Sequence, residues 1–133
     1  MKIEALLLRI AELQEVLPEV RWCDSDRLVL ENAPEVSPGG YLNEYGFWVI
    51  ATTIGGNAIV VSETESAIHF ADHTSYCDDE VSFEDHEGTG EWIDLPISAE
   101  AVRRSLFTLA ESPADFLSKA RSGELSNILD EID

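Results

Sequence analysis

With 133 residues, 44% of them hydrophobic, the chain has the size and composition of one folded domain, and the low-hydrophobicity signature of disorder is absent. Eight Lys and Arg against 27 Asp and Glu leave a formal charge of −19. That balance argues against direct binding to nucleic acid, which needs basic residues to release counterions, and against docking on an anionic membrane surface.

Ile3, Leu6, Leu7, Ile10, Leu13 and Leu17 recur at helical spacing, and Glu4, Arg9, Glu12 and Glu15 fill the other face. The pattern predicts one amphipathic helix that Pro18 ends. Residues 27–30 read as a short strand. Residues 31–46, with Pro34, Pro38, Gly39 and Gly40, have loop chemistry. Residues 47–54 are rich in aromatic and β-branched types and predict a strand. Gly55-Gly56-Asn57 then turns, 58–62 forms the next strand, 63–66 turns again, and 67–70 forms a third. Strands this closely spaced can only be hairpins, hence antiparallel.

Residues 71–90 are polar and acidic and read as one long loop. Residues 92–97 suggest an edge strand, with Pro96 suited to an edge. Ser98 predicts a helix cap, with Val102, Leu106, Leu109 and Ala110 behind it; a strand over 106–109 is the competing reading. Ser112 caps a second helix with Pro113 at its first position and Asp115 in its first turn. Phe116, Leu117 and Ala120 form its apolar side, Gly123 ends it, and Leu125, Ile128, Leu129 and Ile132 suggest one more short helix. The order predicts an α+β fold: a central antiparallel sheet flanked by an N-terminal helix and C-terminal helices, in a single domain spanning 1–133.

The charge is unevenly placed. Residues 28–102 hold no Lys or Arg and 15 carboxylates. Such a stretch favours a basic partner with fast, salt-sensitive association; the plainer reading is that acidity keeps the chain soluble. Met1-Lys2-Ile3-Glu4 opens an amphipathic pattern rather than a signal peptide, and no apolar run approaches the ~20 residues of a membrane span. The expectation is therefore a cytoplasmic protein in which Cys23 and Cys77 are free thiols, a bridge between them remaining open.

His69, His73, Cys77 and His86, with Asp72 and Asp78, are the one tempting metal cluster, but their spacing fits no zinc signature and predicts solvated loop residues instead. Asp78-Asp79-Glu80 lacks EF-hand spacing. No G-x-S-x-G occurs, and Gly39-Gly40 and Gly55-Gly56 read as turns rather than phosphate cradles. Of the tryptophans, Trp48 reads as core; Trp92 reads as core too, with an interface anchor as the alternative. No catalytic residue, cofactor or metal is expected, and the chain reads as a binding protein rather than an enzyme.

Two stretches carry a family likeness. One runs Phe47-Trp48-Val49-Ile50-Ala51-Thr52-Thr53-Ile54-Gly55-Gly56-Asn57-Ala58-Ile59-Val60-Val61, followed by 67–73. The other is Leu109-Ala110-Glu111-Ser112-Pro113-Ala114-Asp115-Phe116-Leu117. Together they resemble the SUKH superfamily, the group around the yeast Smi/Knr cell-wall regulator and many bacterial immunity proteins. Gly56-Asn57 occupies the family's turn, and Ser112, Phe116 and Leu117 its late helix start. The likeness covers about residues 41–120; the Asn-Gly turn that members usually place before the sheet is missing here. It implies a non-catalytic protein that neutralises a cognate toxin, often a nuclease, through an acidic surface. It further implies partner-binding residues at Asp72, Asp78, Asp79, Glu80, Glu84, Asp85 and Glu87, with Trp92 as apolar anchor. A regulatory or scaffold module without a toxin is the alternative.

Overall fold

A computed structural model describes residues 2–23, 38–62, 64–85 and 88–133. The strand read over 27–30 lies outside the described residues.

The N-terminal apolar pattern builds two helices rather than one: α1 (Lys2–Leu7) and α2 (Ile10–Val16). No Gly or Pro marks the break. The chain tightens there, with Arg9 N bonded to the Leu6 carbonyl at 2.9 Å, and Leu8 is left 82% exposed. The six apolar residues that define the pattern are all buried. A short strand, β1 (Val20–Trp22), follows. Within the stretch read as loop, Gly39-Gly40 opens a four-residue helix, α3 (Gly39–Leu42), and a 3-10 turn runs Asn43–Tyr45. Leu42 supplies the reason, because it is fully buried and anchors the segment against the sheet.

β2 (Phe47–Thr53), β3 (Ala58–Ser62) and β4 (Ile68–Ala71) are the expected hairpin strands. Side chains alternate across them: Ile59 and Val61 enter one core, Ala58 and Val60 another. A bulge at Ile50 breaks the β2–β3 register, so Ile50 and Ala51 both join the first core.

The stretch 71–90 is not one loop. Its inward-facing Tyr76, Val81 and Phe83 were enough apolar residues to build strands. After a 3-10 turn at His73–Ser75 come β5 (Tyr76–Cys77) and β6 (Glu80–Glu84), which pair with each other, and β6 pairs in turn with β7 (Trp92–Pro96). The expected edge strand is thus the edge of a second sheet. The segment after Ser98 divides between both readings: α4 (Ala99–Ser105) ends early, and β8 (Phe107–Ala110) takes Leu109 and Ala110 into the main sheet. α5 (Pro113–Ser122) and α6 (Glu124–Ile132) complete the chain as expected. Ser98 and Ser112 cap α4 and α5 through the amides of Ala101 and Asp115, and Gly123 sits at φ 86 between α5 and α6.

The fold is α+β. One sheet has the order β1-β2-β3-β4-β8, the other β5-β6-β7, and every described pairing is antiparallel. α1, α2, α5 and α6 cover one face of the large sheet, with Phe116 at the centre against the edge of the Trp22 ring. The small sheet and α4 cover the other face, over Leu42, Val60, Val81, Phe83 and Val102. The small sheet is therefore an outer layer, and its far side meets solvent.

Candidate functional site

The second sheet positions most of the residues of interest. β6 and β7 pair Glu80 with Pro96, Val81 with Leu95, Ser82 with Asp94, Phe83 with Ile93 and Glu84 with Trp92. Alternate pairs face alternate sides. Val81 and Phe83 point inward and are buried; Glu80, Glu84, Trp92 and Asp94 point outward and are exposed. The outer face is thus three carboxylates and an indole, with Ser82 donating its hydroxyl to Asp94. Trp92 is 62% exposed, so the expectation of a core residue is corrected. Its neighbours explain the exposure, since Phe83 and Ile93 already fill the inner side of the ladder.

The expected partner-binding residues divide into groups. Asp78 and Asp79 form the two-residue turn between β5 and β6, where Asp78 takes the left-handed conformation at φ 48 that Asp tolerates better than most residues. Glu80 and Glu84 lie on the outer face, Glu84 across from Trp92 and Glu80 at the other end of the ladder, across from Pro96. Asp72 caps the 3-10 turn, accepting from the amide and hydroxyl of Thr74 at 2.9 and 2.7 Å. Asp85 stands apart. It is 7% exposed, pairs with Arg104 at 3.4 Å, accepts from the amide of Thr89, and lies so close to Gly88 that a Cβ there would overlap its carboxylate. Its carboxylate is turned inward as a frame for its own loop. Glu87 lies outside the described residues.

A cleft of about 270 Å³ opens beside this face, at the β8 edge of the large sheet. Asp72, Glu84 and Trp92 line it. So do Phe107 and Glu131, two residues the sequence reading did not single out. Asp94 was also missed, although alternation along 92–97 was a usable signal for it. Glu131 had none, because α6 brings it there from across the chain. At the inner end Ser105 donates to the Val102 carbonyl, so the Tyr76 hydroxyl, 2.7 Å away, must donate to Ser105. Burial, more than the nearby Asp72, pushes the Tyr76 pKa up to about 12, so this hydroxyl stays protonated.

The histidines separate. His69 is fully buried on β4, with Nδ1 3.1 Å from the Thr108 hydroxyl and its ring edge-on to Phe47. Burial foremost, then Arg103, lowers its pKa to about 4 despite Glu65 nearby, so the ring is neutral near pH 7. His73 donates its amide and Nδ1–H to the Asn57 side-chain oxygen at 3.0 and 2.8 Å. Cys77 is exposed on the hairpin, Cys23 is half-buried, and both are free thiols. His86 lies outside the described residues. Among the described residues no three His, Cys, Asp or Glu come together as metal ligands, and no helix is long and apolar enough to cross a membrane.

Compared with known proteins, the chain matches no family model, no curated protein and no solved structure. The likeness to the SUKH superfamily rests on the residues quoted for it.

Proposed function

We propose that this domain is a non-catalytic binding protein of the immunity type, which neutralises a cognate toxin by covering a basic working surface with the outer face of its second sheet. A nuclease is the natural target, because its phosphate-binding surface must be basic. The observation that carries the reading is the cross-strand pair of Glu84 and Trp92, with Glu80 and Asp94 on the same outward side and Asp78-Asp79 at its end. An exposed indole across from a carboxylate, on a face that carries two more, has the composition of an interface hot spot for a cationic partner. Each of these residues lies in the base-free stretch 28–102. The uncompensated charge would also steer encounter with a basic surface.

The test is association with a purified toxin encoded beside this gene. Asp78→Lys, Asp79→Lys and Glu80→Lys combined should slow association by about tenfold or more at low salt and flatten its salt dependence. An unchanged on-rate sinks the reading.

A further inference from the structure

The cleft beside the acidic face is lined by four aromatic and three acidic residues. Of Phe70, Phe83, Trp92 and Phe107, the first two are almost wholly buried and Trp92 is the exposed ring; Asp72, Glu84 and Glu131 supply the charge. No Lys, Arg or His is among its described lining residues. Its volume of about 270 Å³ falls just below the ~300–1,000 Å³ of drug-sized pockets, and suits one long side chain.

We infer that this cleft is a socket for a single arginine side chain presented by the protein partner. The inference rests on the reading of the chain as a partner-binding domain and adds the chemistry of the central contact. A flat guanidinium can lie against ring faces while its fork of N–H donors reaches carboxylates on more than one side. A lysine ammonium is a compact, strongly hydrated point charge that cannot do both, and it is costlier to desolvate among rings. The chain already uses this chemistry once. The Arg104 guanidinium sits 5.6 Å from the Phe83 ring centroid and 3.4 Å from the Asp85 carboxylate, an aromatic-and-carboxylate seat immediately beside the cleft. The cleft offers a second pairing of ring and carboxylate, in Trp92 and its cross-strand neighbour Glu84. Its rim carries the exposed Trp92, and its wall shares Glu84 with the acidic face, so a partner covering that face would deliver a side chain directly into it.

The free domain suffices for the test. Nα-acetyl-L-arginine amide is titrated into ¹⁵N-labelled protein while the indole N–H of Trp92, assigned with Trp92→Phe, is followed. The expected result is a saturable shift of that signal, absent with the isosteric neutral citrulline amide and at least several-fold weaker with the lysine amide. Glu84→Gln, on an exposed strand position, should weaken the arginine amide about tenfold while leaving the rest of the spectrum in place. No saturable shift, an equal shift with citrulline, or equal affinity for lysine overturns the socket. Such a failure leaves the acidic-face reading standing, because that reading falls only if charge reversal in the hairpin leaves association with the toxin unchanged.

Discussion

The side-chain amide of Asn57 donates to the carboxylate of Asp133 at 3.0 Å, across 76 positions of sequence. The same carboxylate accepts from the Gly55 amide at 3.1 Å and from the Thr53 hydroxyl, while the Asn57 oxygen takes both donors of His73. Asn57 is thus the junction of three segments: the β2–β3 turn, the end of α6 and the start of the 3-10 turn. Gly55 is small for the same reason, since a Cβ there would lie 2.8 Å from an Asp133 carboxylate oxygen.

Asn57→Ala should therefore destabilise the fold by about 1–3 kcal/mol, because the buried Asn57 side chain loses its bonds to both Asp133 and His73. Asp133→Ala should cost less, its carboxylate being partly open to water, which can replace it. Urea unfolding checks the order, and equal costs for the two variants would contradict the junction role of Asn57.

His69 makes stability depend on pH. Its folded pKa of about 4 lies below the ordinary 6.5, so between those values the unfolded chain binds a proton that the folded chain refuses. The contribution is complete above about pH 6.5 and is lost as pH falls toward 4, to an extent on the order of 3 kcal/mol. Acid also relieves carboxylate repulsion, so the quantity to measure is the difference between wild type and His69→Gln across this window. An NMR titration of the His69 ring should show a midpoint near 4; a midpoint at 6 or above contradicts the burial argument.

Phe116 and Leu117 are adjacent but unequal. Phe116 is completely buried against Trp22, whereas Leu117 is only half-buried. Phe116→Ala should cost about 3–5 kcal/mol and Leu117→Ala clearly less. Thermal unfolding of the two variants separates them by several degrees.

Trp92→Ala should leave stability within about 0.5 kcal/mol of wild type, as an exposed surface substitution does, while abolishing high-affinity partner binding. A large loss of stability would mean that the indole serves the fold and not the interface.

Elements with strong local signals were legible in the sequence. The alternation from Phe47 to Ile68, the serine caps at Ser98 and Ser112, and Gly123 after α5 fixed strands and helices close to their observed bounds. What escaped depended on distant contacts. The apolar face from Ile3 to Leu17 continues unbroken through the turn at Leu8–Arg9, so periodicity alone could not divide it. Tyr76, Val81 and Phe83 are spread thinly among carboxylates, and become a strand face only over the core that α4 and Leu42 provide. The site was half visible. Glu80, Glu84 and Trp92 were singled out by type, but the inward turn of Asp85 follows from Arg104, nearly twenty residues on. Glu131 reaches the cleft only through the packing of α6.

The outward carboxylates also guard an edge. Among the described strands β7 pairs on one side only, leaving backbone donors and acceptors along Trp92–Pro96 open to a strand from another molecule. The outward charges of Asp94, Glu80 and Glu84 repel a second copy, and Pro96 removes a donor at the end of the ladder. Removing those charges dismantles the guard at exposed positions that the core does not use. Replacing Glu80, Glu84 and Asp94 together by their amides should then drive edge-to-edge aggregation of native molecules, with the exposed indole as its first point of adhesion.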